Sequence, residues 1–210
     1  EVLQIVMSKQ FANQEENFWG EKEVLIIDDR DFAKFTETVT PAGIAAVVKM
    51  PKNNLSTIKN GQIIVVLEDI RDPGNLGTMI RTADWFGVAG ILLIDGADPY
   101  QAKVVRASMG SIFHLPIVMS QEPQIDLLEL KKEGFKIVVT RPELADFKQQ
   151  TDNFGGKIAL IFGNESKGTS QEIDQLADSF LSIAKYGQAE SLNVAVSFGI
   201  LLNQLKSKVQ

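Results

Sequence analysis

The run Gln62-Ile63-Ile64-Val65-Val66-Leu67 constrains the fold of this 210-residue chain more than any other feature. A continuous apolar stretch of this kind is typical of a parallel strand buried on both faces, because a sheet with one wet face alternates polar and apolar residues. Further strand candidates follow at Gly90–Ile94, Leu115–Val118, Phe135–Thr140, Lys157–Phe162 and Phe180–Ile183. Between them lie helical patterns at Leu76–Phe86, Ala102–Met109, Ile125–Glu133, Ser170–Ala177 and Ser191–Lys206. Strand and helix alternating through short turns predict βαβ units, a mostly parallel sheet and an α/β fold.

The first part of the chain reads as a smaller α/β domain. Val2–Val6, Val24–Asp28 and Gly43–Lys49 are expected strands, and Asp31–Glu37 an expected helix. Met50-Pro51-Lys52-Asn53-Asn54-Leu55-Ser56-Thr57 has the composition of a linker. The expected division is residues 1–52, a linker at 53–61 and the larger domain at 62–210. Because Val2–Val6 reads as a strand already inside a fold, we expect the small domain to be partial at its N-terminus.

Composition narrows the classes. With 44% hydrophobic residues the chain can build a full core plus a smaller domain. The absence of cysteine excludes disulfides and thiolate metal sites and fits a reducing cytoplasm. No apolar run approaches bilayer length, so no membrane partner is expected. A net charge of −6 argues against a nucleic-acid partner, although charge over a whole chain says little about a local patch. From Thr38 to Leu67 there is no acidic residue, while Lys49, Lys52 and Lys59 fall there; a solvated linker accounts for this.

Three short segments carry polar groups at junctions between strand-like and helix-like runs, where open α/β sheets build ligand sites. The first, Asp72-Pro73-Gly74-Asn75-Leu76-Gly77-Thr78-Met79-Ile80-Arg81, offers Asn75 as a helix N-cap, Gly77 for close backbone approach and Arg81 further along the helix. Taken alone, an ordinary capped helix with one surface arginine explains it. The second, Ile161-Phe162-Gly163-Asn164-Glu165-Ser166-Lys167-Gly168, places a carboxylate just after a buried strand. A loop whose Glu165 caps a helix starting near Ser170 is the structural alternative. In the third, Glu190-Ser191-Leu192-Asn193-Val194-Ala195-Val196, Ser191 is the expected N-cap, and Asn193 an amide in an otherwise apolar first turn that must find partners.

His114, the sole histidine, lies between Phe113 and Leu115 and reads as a packing residue; being alone, it excludes multi-histidine metal sites. Trp85 and Phe86 read as core. There is no Gly-x-Gly-x-x-Gly after a strand and no Gly-Lys-Ser/Thr phosphate loop, which disfavours a Rossmann-like oxidoreductase.

Together the three segments resemble the motifs of the SpoU branch of the SPOUT RNA methyltransferases, ribose 2′-O-methyltransferases of tRNA and rRNA. Asn75, Gly77 and Arg81 resemble the first motif; Gly163, Glu165 and Gly168 the second; Ser191 to Val194 the third. Arg106 to Pro116 resembles a further family segment, and the likeness spans roughly Ile63 to Leu205. One departure is Ile183-Ala184-Lys185, where the family usually has Ile-Pro-Met, so proline's rigidity is missing.

This resemblance implies a C-terminal α/β knot, a deep trefoil, preceded by a ribosomal-protein-like RNA-binding domain. It implies S-adenosylmethionine as methyl donor without a metal, and a homodimer with each site at the interface. The cofactor would be held near Gly163, Ile183 and Leu192, with Thr140, Asn164 and Gly168 completing the set. Asn75, Glu165, Ser191 and Asn193 would orient the hydroxyl and the donor. The family's arginine, here Arg81, is often assigned as general base; because guanidinium normally stays protonated, clamping an RNA phosphate is physically easier, and Glu165 is then the second candidate, beside Arg81, for accepting the proton. The small domain most resembles members acting on rRNA, with tRNA the other substrate. The competing expectation is a non-catalytic RNA-binding paralogue that keeps the fold. The intact polar set speaks against it.

Overall fold

The computed structural model describes residues 1–14, 23–36, 38–142 and 156–209, with side chains to residue 207. The chain divides into two compact units, Glu1–Lys52 and Asn53–Gln210.

The first unit holds β1 (Val2–Ser8), α1 (Lys9–Ala12), β2 (Val24–Ile27), α2 (Asp29–Phe35) and β3 (Ile44–Val48). Its sheet order is β2-β1-β3, with β1 parallel to β2 and antiparallel to β3. Phe32 on α2 is fully buried. That helix starts two residues earlier than the sequence pattern predicts, because Asp28 takes the extended N-cap conformation. The predicted C-terminal residue of the helix, Glu37, lies outside the described residues.

In the second unit, a short α3 (Leu55–Ile58) falls inside the stretch read as linker. Its Ile58 is wholly buried, and Asn54 and Thr57 form a reciprocal capping box. Then follow β4 (Ile63–Glu68), α4 (Pro73–Trp85), β5 (Gly90–Ile94), α5 (Ala102–Ala107), a 3₁₀ turn at Ser111–Phe113 and β6 (Ile117–Met119). The chain continues with α6 (Pro123–Lys132), β7 (Phe135–Arg141), β8 (Lys157–Phe162), α7 (Gln171–Asp174), β9 (Ser179–Ser182) and α8 (Val194–Val209).

The six strands lie in the order β6-β5-β4-β8-β7-β9, and every pairing is parallel. Successive residues of each strand feed opposite cores. Ile63, Val65 and Leu67 pack with residues of α4, α5 and α8, whereas Ile64 and Val66 pack with residues of α3, α6 and α7. Burial on both faces is what the continuous apolar run requires. At α4, Gly77 allows close helix packing: a Cβ there would lie 2.4 Å from the Ala107 Cβ of α5.

The strand order reverses direction at β4. From there the chain builds outward through β5 and β6, then crosses to β7 and β8 on the other side. The carboxyl ends of β4 and β8 therefore lie side by side at the switch point, where open α/β sheets hold their ligands.

Candidate active site

Both helices at this edge begin on residues other than the expected caps. At α4 the cap is Asp72, whose carboxylate accepts the Asn75 N–H at 2.7 Å, not Asn75 itself. Proline explains the shift: Pro73 disfavours helical backbone at Asp72 and sits at the first helical position, where its missing N–H costs nothing. At α8 the cap is Asn193 rather than Ser191: its Oδ1 accepts the N–H groups of Ala195 at 2.9 Å and Val196 at 3.3 Å. Ser191 and Leu192 precede the helix in an exposed segment running from Ala184 to Asn193.

Released from capping, the Asn75 side chain joins the other two segments. Its Nδ2 donates to Glu165 Oε1 at 3.0 Å, and its Oδ1 accepts from Asn193 Nδ2 at 3.0 Å. Residues 90 and 118 positions apart thus form one relay, Asn193 to Asn75 to Glu165. The second oxygen of Glu165 has no partner among the described residues. Glu165 does not cap α7; the Ser170 N–H goes to Glu68 Oε2 at 2.9 Å.

The Glu165 loop is held at its base. Asn164 and Gly168 exchange backbone hydrogen bonds of 3.0 and 2.8 Å. Asn164 Nδ2 also donates to the carbonyl and carboxylate of Asp69, while its Oδ1 accepts the amides of Ser166 and Lys167. Every polar atom of Asn164 is thereby engaged in shaping the loop. At Gly163 a Cβ would lie 2.3 Å from the Gly168 carbonyl carbon, so the close approach that glycine permits there is that of the chain's own return. Gly168 has φ +71°, the left-handed turn that closes the loop.

Thr140 ends near this loop on β7, with its hydroxyl donating to the Ile161 carbonyl at 2.9 Å. Ile183 is half-buried just past β9. Because β8, β7 and β9 are adjacent and parallel, Gly163, Thr140 and Ile183 share one edge of the sheet.

Arg81 lies outside the relay. It is exposed on α4, about 9 Å along the axis from Asn75, and makes no hydrogen bond or ion pair with a described residue. Trp85, one turn on, is 85% exposed and so is not core; Phe86 beside it does pack on the core. His114 is likewise exposed rather than packed inside, its Nδ1 3.2 Å from Asp84 Oδ2. Two lysines of the acid-free stretch have acidic partners: Lys59 pairs with Glu133 at 2.9 Å and Glu129 at 3.5 Å, and Lys49 with Glu1 at 3.6 Å. Those partners raise the Lys59 ammonium and lower the Glu133 carboxyl from their ordinary values, chiefly through their hydrogen bond.

An open cavity of about 640 Å³ adjoins the N-terminus of α4, lined by Glu68, Asp69, Arg71, Asp95 and Gln101 among others. Sequence reading singled out none of these residues. Acidic residues scattered at strand ends carry no periodic or motif signal.

Known proteins bear on the fold and the family. Residues 62–203 match the model of the SpoU rRNA Methylase family. The chain is 41% identical to the 23S rRNA (guanosine(2553)-2′-O)-methyltransferase RlmP of Bacillus subtilis (strain 168), over 86% of this chain and 71% of that protein. Among solved structures it resembles the SpoU methyltransferase AviRb from Streptomyces viridochromogenes in complex with AdoMet, with a TM-score of 0.80 at 27% identity, covering 99% of this chain and 83% of that one. An AdoMet-bound rRNA methyltransferase from Sinorhizobium meliloti gives a TM-score of 0.83 at 27% identity, over 100% and 81% of the two chains. With its three motifs joined in one hydrogen-bonded relay and two thirds of its length matching the family model, the chain belongs to the SpoU rRNA methylase family.

Proposed function

We propose that this protein is an RNA methyltransferase that uses S-adenosylmethionine to methylate a ribose 2′-hydroxyl, with ribosomal RNA as substrate. The observation that carries the reading is the relay from Asn193 through Asn75 to Glu165, which unites the three family motifs at the switch point.

The shared edge of β8, β7 and β9 fits the donor. Gly163 offers backbone beside the turn that Asn164 and Gly168 close, Thr140 and Ile183 end the neighbouring strands, and Leu192, half-exposed, offers apolar surface for an adenine. When bound, S-adenosylmethionine supplies an electrophilic methyl group on a sulfonium. The chain's own residues then have two tasks. Asn75, gripped from both sides, holds the Glu165 carboxylate with one oxygen open, so Glu165 can accept a hydroxyl proton. Arg81, permanently charged, clamps an RNA phosphate or the developing oxyanion. Asn193 fixes the start of α8, and Ser191, exposed two residues before it, is assigned with it to holding hydroxyl and donor on the strength of the family motif.

The family also carries the α/β knot and the homodimer into this reading, with residues 1–52 gripping RNA. Exposed apolar side chains support the dimer: Trp85 on α4, Leu192 just before α8, and Val196 and Ile200 on it. Helices with so much bare apolar surface commonly mark an interface.

Incubation with tritium-labelled donor and bulk RNA tests the activity, and 2′-O-methyl mapping of total RNA with and without the protein locates the target. Label in ribose methyl groups is expected. RNA binding without transfer would instead identify a non-catalytic paralogue.

A further inference from the structure

We propose that Arg141, Thr169 and Asp174 form a positioning cluster that sets the Glu165 loop for reaction; this rests on the methyltransferase reading. None of the three belongs to a family motif quoted above.

The loop's two stems are anchored differently. The entering stem hangs on Asn164, tied to Asp69 at the end of β4. The leaving stem is Thr169, a buried residue directly after Gly168. Its hydroxyl accepts from Arg141 Nη1 at 3.1 Å and donates to Asp174 Oδ1 at 2.5 Å. Arg141 closes the triangle by pairing Nη2 with Asp174 Oδ2. Its guanidinium carbon lies over the Phe180 ring, 5.2 Å from the centroid, a cation–π contact that adds a further hold on the fork.

Three elements meet in this cluster: the end of β7, the exit of the loop and the end of α7. Only Glu165, Ser166 and Lys167 project beyond the Asn164–Gly168 bridge, and all three are exposed. Among the described residues Glu165 has a single side-chain anchor, Asn75, so its carboxylate is placed mainly by where the two stems sit. Gly168 lies directly on the cluster, with a Cβ position 3.4 Å from Arg141 Nη1 and φ +71°. A stem freed to shift by about an ångström would displace the carboxylate by a similar amount, enough to slow a reaction that depends on its aim.

The test uses the full chain. Thr169→Val keeps the shape and removes the hydroxyl; Thr169→Ser keeps the hydroxyl; Arg141→Lys keeps charge without the fork. We expect Thr169→Val and Arg141→Lys to lower kcat about tenfold, with the KM for RNA changed less than about twofold. Donor-binding stoichiometry by calorimetry should stay that of the unsubstituted protein, and Thr169→Ser should recover most of the lost kcat. An unchanged kcat in Thr169→Val, or a loss that merely tracks a falling stoichiometry, would overturn the cluster's positioning role. If the unsubstituted protein transfers no methyl group to any RNA, the methyltransferase reading itself fails, which is a separate result.

Discussion

Asn75 and Arg81 stand six residues apart on one helix and are held in opposite ways. At the head of α4, Asn75 has both side-chain atoms engaged, one to Glu165 and one to Asn193. On the outer face of the same helix, Arg81 is exposed with no partner among the described residues. The first arrangement is set before any ligand arrives, so it contributes aim at little entropic cost on binding. The second leaves a fully charged fork free to meet phosphate. A site that must hold a small cofactor rigidly, yet take up a large anionic polymer, has use for both.

The sharpest way to break this contrast is Arg81→Ala. It should reduce kcat by about 10²–10³-fold while donor binding stays measurable by calorimetry. Arg81→Lys separates charge from fork geometry, and near-normal turnover in that variant would remove the clamp. Next comes Asn75→Ala, which should lower kcat by about a hundredfold. A double-mutant cycle with Glu165→Ala should show the two losses to be strongly non-additive, because both act through one relay. Additive losses would mean that the hydrogen bond has no functional weight.

Trp85→Ala asks whether the exposed face of α4 is a dimer surface. Sedimentation equilibrium should show association weakened about thirtyfold with the fold retained. The smallest effect is expected away from the site, at Asp178. Burial tends to raise its carboxyl, but hydrogen bonds from Lys131 at 2.7 Å and the Ile137 N–H at 2.8 Å outweigh this and lower it. A carboxyl lowered in the folded state adds stability that is present above the ordinary carboxylate range and is lost as pH falls through its lowered value. Asp178→Asn should therefore lower the melting temperature slightly at pH 7, with the gap to the parent closing in acid and methyl transfer unchanged.

Much of the larger unit was readable from residue order. Each strand from β4 to β9 falls within a few residues of its expected span, because β-branched apolar runs bounded by turn residues have few other uses. Helix starts were less legible. Asn75 and Ser191 each satisfy the chemistry of a cap, and choosing between neighbours depends on backbone conformation, decided here by Pro73 and by the Asn193 side chain. Burial of single aromatic and imidazole groups was misread at Trp85 and His114, since an apolar neighbour in sequence does not mean a covered side chain in space. Net charge also pointed the wrong way about RNA: −6 is a sum over 210 residues, whereas recognition needs only a few well-placed cations.

Local chemistry along the chain was therefore enough for the parallel α/β plan, while the family came from the resemblance of three motifs and not from periodicity or composition. Hydrophobic period and turn residues act over a handful of positions and need no knowledge of distant neighbours. Which side chains touch is a different matter. That Asn75 bridges Glu165 and Asn193, that Asn164 is wholly occupied by its own loop, and that Arg141 reaches Thr169 all depend on β4, β7 and β8 ending side by side. Contacts between residues 28 to 118 positions apart arise only once the sheet has ordered its strands, and no short-range pattern records that order.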